Sequence, residues 1–305
     1  MRKNKSMLRK NERLSQFYLL FLCLSGMTYI LSLVLSLSIP PNVLILSFAI
    51  MVLILGVPHG ALDYFIAKQA FDTKHIFWLI LFFISYIVVA SLSTYLWYLF
   101  PSVCLVLFLL ISIFHFASDW RNSLRFSTSI ALAALVICGP AVFYANSILH
   151  IFEGLMIDTE SAQNIVQIMF IIAVLASVIL LVNLLQGYFT TVRFWIRYEL
   201  LGLALSSILI PPLVHFVLYF CFLHSLQHMC DFANYQQVSL KKVFVISAPV
   251  VLLSVALSLL IPYFFPNTNF ESNIYRIIFI SLFGLTMSHM LVISYWHKWI
   301  SYSPS

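Results

Sequence analysis

Most of this chain consists of long apolar runs separated by short polar breaks. A bilayer-spanning helix needs about 20 mostly apolar residues. The runs predict ten such helices, at 17–38, 43–66, 76–100, 103–120, 128–150, 163–187, 198–211, 213–231, 243–265 and 274–297. Pro40, Pro41, Pro101, Pro212, Pro262 and Pro266 fall near their boundaries, where a residue without a backbone N–H is tolerated. Residues 198–231 allow two readings, a short hairpin broken at Pro211-Pro212 or one long kinked helix. No repeat, linker or low-complexity segment interrupts the pattern. The expected fold is all-α: a polytopic integral membrane bundle of about ten transmembrane helices. Residues 1–305 are expected to form a single transmembrane domain, with a basic cytoplasmic tail at 1–16.

Charge orients the bundle and chooses between the two readings. Six of the sixteen basic residues are Arg2, Lys3, Lys5, Arg9, Lys10 and Arg13, ahead of the first apolar run. With ten spans and both termini cytoplasmic, Lys68, Lys74, Arg121, Arg125, Arg193, Arg197, Lys241, Lys242 and Lys298 join them inside, leaving Arg276 outside. Cytoplasmic loops carry such an excess. Merging 198–231 into one helix would move Lys241 and Lys242 outside. The placement predicts a multi-pass protein of the cell (inner, cytoplasmic) membrane, with the lipid bilayer as its surroundings.

Composition agrees: 62% of the residues are hydrophobic, 9% are charged, and the mean hydropathy is +1.02. Soluble domains carry about 25% charged residues. The net charge of +6 comes mainly from the basic tail, so no nucleic-acid partner is expected. The five cysteines lie in or at the ends of apolar runs without a CxxC pair, which fits small buried hydrophobes.

The candidate chemistry lies in five of nine histidines. His75, His150, His215 and His297 fall near span ends or loops, where interfacial roles are expected. His59, His115, His224, His228 and His289 fall late in even-numbered spans, at a similar depth in the cytoplasmic half. Ionisable groups within spans are costly and usually face the bundle interior. His224 and His228, four apart, share one helix face. Neutral imidazole suits iron, zinc, copper or nickel, so one metal site explains the shared depth economically. Asp63 lies four residues after His59, Asp119 four after His115, and Asp231 three after His228. Each aspartate can support a ligand histidine by accepting its second N–H, or sit at a helix end. His289 is a candidate fifth ligand or outer support. Pro58, between Gly56 and Gly60, predicts a break that turns His59 toward the bundle axis. An all-histidine set without cysteine fits mononuclear iron with open positions better than a structural zinc site. No GxSxG, HExxH or Walker-type motif is present.

The block Gly56-Val57-Pro58-His59-Gly60-Ala61-Leu62-Asp63, with His115-Phe116-x-x-Asp119 and His224-Ser225-x-x-His228, resembles the Brp/Blh family of bacterial and archaeal β-carotene 15,15′-dioxygenases. The resemblance covers most of the chain. Ala117, Ser118 and Gln227 depart from the family's usual residues without removing a candidate ligand. The resemblance implies a non-haem Fe(II) enzyme with iron on His59, His115, His224 and His228. It implies cleavage of the central double bond of β-carotene with O2 to give two retinal molecules, and a retinal-binding rhodopsin as a candidate recipient. Two other classes remain open on the residues alone, and a third fits poorly. A transporter or proton relay would use the histidines without iron. A bis-histidine haem protein would show a haem spectrum. A di-iron desaturase or hydroxylase needs more histidine boxes than this chain has.

Overall fold

The computed structural model describes residues 41–65, 76–121, 123–190, 194–264 and 269–302, with Cys23 and Gly26. The expected span 17–38, apart from Cys23 and Gly26, lies outside the described residues, as do the basic tail, Lys68, Lys74, His75 and Arg193. Within them the chain is helices joined by short turns, with no strand. Among the described residues, seven helices are long and apolar enough to cross a membrane, or eight if a bent pair is one span.

The chain opens with α1, which starts as Pro41–Met51 and continues through a π-helical turn, Val52–Gly56, and a 3-10 turn, Val57–Leu62. α2 is Ile76–Leu99 and α3 is Pro101–Ala117, closed by a 3-10 turn at Ser118–Trp120. The expected span 128–150 divides into α4, Phe126–Cys138, and α5, Ala145–Gly154, with a 99° bend between them. Gly139-Pro140 lies at the break, where proline removes a ladder hydrogen bond. α6, Thr159–Leu185, is capped by Asp158, which accepts from the Ser161 amide at 2.9 Å. That hydrogen bond holds the exposed Asp158 carboxyl below the usual carboxylate range.

α7, Phe194–Leu209, is the short member of the expected hairpin. It ends before Pro211, and Pro212 starts α8, Pro212–Tyr235. The chain therefore breaks at Ile210-Pro211 into two helices, the first of 16 residues and the second of 24. α8 is interrupted by a π-helical segment, Leu218–Ser225, before resuming as Leu226–Tyr235. α9 is Leu240–Ser258, followed by the turn Ile261–Phe264, and α10 is Phe270–Tyr302.

α10 packs closely on α2: a Cβ at Gly284 would lie 3.0 Å from the Ala90 carbonyl oxygen. The core is a continuous apolar cluster running from Ile45 through Trp97, Leu132, Leu203 and Leu223 to Phe283. The lipid-facing sides are apolar too, as the exposure of Leu175, Leu185 and Leu252 illustrates. Cys104, Cys138 and Cys221 are buried and free, as expected of small apolar residues.

His215 departs from the interfacial role expected of it. It is 2% exposed, and its Nε2 lies 3.1 Å from the Val136 carbonyl of α4. Position along α8 suggested the interface, but the packing of α4 against the start of α8 encloses the ring.

Candidate metal centre

Five histidines from four helices meet in one place. His59 projects from the 3-10 turn of α1, His115 from the last turn of α3, and His224 from the π-helical part of α8. His228 lies one turn further along α8, and His289 lies in α10. Ring centroids are 4.8 Å apart for His115–His224, 5.1 Å for His59–His224 and 4.6 Å for His224–His228. His289 is 5.1 Å from His115 and 5.5 Å from His59. The shared depth read from the sequence is thus a shared site.

Local backbone geometry presents these rings. The expected break at Pro58 is a π turn running into a 3-10 turn, and His59 Nδ1 lies 2.5 Å from the Gly56 carbonyl. That contact makes Nδ1 the protonated nitrogen and leaves Nε2 as a free donor atom. Ser225 secures the break from the other side, giving its hydroxyl to the carbonyls of Leu55 and Gly56. The hydroxyl is therefore a backbone tie between α8 and α1. Phe220 fills the space over Gly56 and stacks on His224 at 5.9 Å.

Two chains of buried polar groups lie behind the histidines. Tyr219 donates to Asp119 at 2.8 Å, and Asp119 accepts from His224 Nδ1 at 2.9 Å. Tyr86 donates to Asp63 at 3.1 Å, and Asp63 accepts from His289 Nδ1 at 2.8 Å. Each carboxylate fixes the tautomer of its histidine and directs Nε2 forward. The sequence spacing paired Asp63 with His59 and Asp119 with His115; the structure assigns both aspartates to histidines on other helices. In a 3-10 helix four residues advance about 120° beyond a full turn, against about 40° in an α-helix. Asp63 therefore leaves the face that carries His59, and the 3-10 turn after α3 turns Asp119 similarly. Asp231 is half-buried on α8, close enough to His228 for its charge to act on that ring. Tyr86 and Tyr219 were missed in the sequence. The available signal was that a tyrosine hydroxyl inside a span needs a polar partner.

The donor atoms of His59, His115 and His224 lie within 4.8 Å of one another, and those of Asp119, His224 and His228 form a second such group. The Nε2 atoms of His115 and His224 are 3.1 Å apart. Two nitrogens bound to one ion at about 2.1 Å would be separated by about 3.0–3.4 Å. His289 Nε2 is buried without a hydrogen-bond partner among the described residues, an unfavourable state that a metal ion would relieve. His228 differs, since its Nε2 lies 3.3 Å from Asp119. The residues therefore fit a metal ion bound by imidazole.

His59, His115 and His289 border a small cavity of about 50 Å3, walled by Phe108, Phe116 and Phe220. A larger apolar groove of about 700 Å3 adjoins it between α2, α9 and α10.

Residues 50–297 match the family model described as β-carotene 15,15′-dioxygenase. The chain belongs to this family. It is also 31% identical over 257 residues to the β-carotene 15,15′-dioxygenase of uncultured marine bacterium 66A03, covering 80% of this chain and 91% of that protein. No solved structure matches the chain. The family resemblance read from the histidine blocks is borne out. The family match takes in all five clustered histidines with Asp63, Asp119 and Asp231, so the dioxygenase family assignment and the histidine cluster concern the same segment.

Proposed function

We propose that this chain cleaves the central double bond of β-carotene with O2 to give two molecules of retinal. Family membership supports the reaction, and the convergence of His59, His115 and His224 on one point supports a metal-dependent route. Fe(II) is the metal of this reading. Bound there, it supplies a redox-active centre for O2 chemistry.

The chain's own residues hold, orient and enclose. Nε2 atoms of His59, His115 and His224 form the middle of the donor set, with His228 and His289 completing it. Asp119 and Asp63 keep protons on the Nδ1 atoms of His224 and His289, so the opposite nitrogens stay free to bind. Tyr219 and Tyr86 hold those carboxylates in place. Phe108, Phe116 and Phe220 keep bulk water from the reacting polyene. Approach from the bilayer suits a substrate this apolar, and the cell membrane is the proposed location. The retinal formed has the chemistry that a rhodopsin takes up.

The buried Tyr–Asp–His chains would also suit a proton relay, and one experiment separates the two readings. Expression in β-carotene-producing cells is expected to bleach their orange colour and yield extractable retinal. A relay leaves the colour unchanged. Orange cells with no retinal, despite folded protein in the membrane, would reject the cleavage reading.

A further inference from the structure

The large groove begins at the histidine site and runs away from it along α2. Phe82, Tyr86, Ala90, Thr94 and Tyr98 recur every four residues on its wall, each next to the last on a stripe that winds about 40° round the helix per step. Across from them stand Ser254, Leu257 and Ser258 of α9, and beyond these Tyr263 and Phe264. Ala90, Ser254 and Ser258 are small and leave the width that a flat conjugated chain needs. Leu257 and Tyr263 are exposed on the lipid side, so the groove is accessible from within the bilayer.

Groove and histidine cavity share walls. Gly60, Ala61, Tyr86, Val250, Ser254 and Leu285 border both. A Cβ built on Gly60 meets nothing within 4 Å, so this threshold is open. From Tyr86 at the threshold to Tyr98 at the far end is twelve helical residues, about 18 Å at 1.5 Å per residue. That reach suits a ring with its extended polyene arm, which is half of a symmetric carotenoid.

We propose that the groove is a binding site for one ring-bearing arm of the carotenoid and that its length selects the bond presented to the histidines. This rests on the carotenoid-cleaving reading above. The ring stops against Tyr98, Tyr263 and Phe264, and the arm reaches back through the Gly60 threshold. The bond one arm's length from the ring then lies beside His59 and His289. Because the substrate is symmetric, that bond is its centre.

Ser258→Trp places a bulky ring one helical turn beyond Ser254 and shortens the groove. Leu252→Trp adds the same ring on an exposed position of α9 outside it. Purified wild type and both variants are compared for binding of β-carotene, for retinal formation, and for cleavage of an apocarotenal truncated on one side. Iron content serves as the control for an intact site. Ser258→Trp is expected to lower β-carotene binding and turnover roughly tenfold or more. It spares the apocarotenal, whose short arm still fits, and leaves iron content unchanged. Leu252→Trp is expected to match wild type throughout. Unchanged β-carotene binding and turnover in Ser258→Trp overturns the groove assignment, as does equal loss of both substrates with iron retained. So does a wild-type chain that binds no carotenoid. A wild type that binds β-carotene in a Ser258→Trp-sensitive way but forms no retinal supports the groove and rejects the cleavage reading instead.

Discussion

Asp63 accepts the Nδ1 hydrogen of His289 at 2.8 Å, although 226 residues separate them. Both side chains are buried, and the histidine's other nitrogen has no hydrogen-bond partner among the described residues. A carboxylate placed behind a histidine in this way makes the opposite nitrogen a better ligand. Asp63→Asn keeps the shape but removes the charge. Iron affinity is expected to fall about 10–100-fold, read by chelator competition on purified protein. Unchanged affinity would remove His289 from the donor set.

Single alanine substitutions sort the histidines by role. His59→Ala, His115→Ala and His224→Ala are each expected to abolish both bound iron and retinal formation. His228→Ala and His289→Ala are expected to lower both. The measurements are iron stoichiometry by elemental analysis and retinal by chromatography. Full iron and normal retinal from His228→Ala would exclude it as a ligand.

Gly56 gives way to the ring of Phe220, which lies against His59 and His224. Gly56→Ala drives a methyl group into that ring, and overpacking of this kind costs about 1–3 kcal/mol. A lower thermal midpoint and reduced iron retention are expected. Combining it with Phe220→Leu should recover part of the loss, because residues in contact couple. Strictly additive effects would show that the two do not touch.

Tyr219→Phe deletes one buried hydrogen bond to Asp119 without altering shape. The expected cost is about 1 kcal/mol, seen as a small drop in thermal midpoint and a modest weakening of iron binding. Complete loss of folding would assign the hydroxyl a larger structural role.

Metal removal tests the cofactor itself. Retinal formation should stop on treatment with a chelator and return on adding Fe(II) under anaerobic handling, followed by O2. Zinc should occupy the site without restoring activity, since it has no redox chemistry. Full activity in thoroughly chelated protein would reject iron.

Much of this was legible in the sequence. The apolar runs located the helices, since a spanning segment must satisfy its backbone internally and present apolar side chains to lipid. Pro211-Pro212 marked the break between α7 and α8. The common depth of His59, His115, His224, His228 and His289 anticipated their meeting. The aspartate partners were less legible, because spacing rules assume α-helical geometry and Asp63 follows a 3-10 turn. The burial of His215 depended on α4, whose course at Gly139-Pro140 no local pattern specifies. The Tyr86 and Tyr219 contacts join residues far apart in the chain and leave no periodic trace.

The π-helical segment Leu218–Ser225 has a bearing on sequence length. Its hydrogen bonds reach one residue further than those of an α-helix. Losing one residue between Tyr219 and Leu223 would let α8 heal into regular geometry with its flanking turns little disturbed. The shortened protein would fold, and its ladder would be the more regular for the loss. Yet His224 and Ser225 would no longer be wound as they are, and the ties to Asp119 and Gly56 would go with them. Here a deletion that the fold tolerates is more damaging to the site than many substitutions. A one-residue gap in this stretch is therefore expected to cost the site its geometry while leaving the bundle intact.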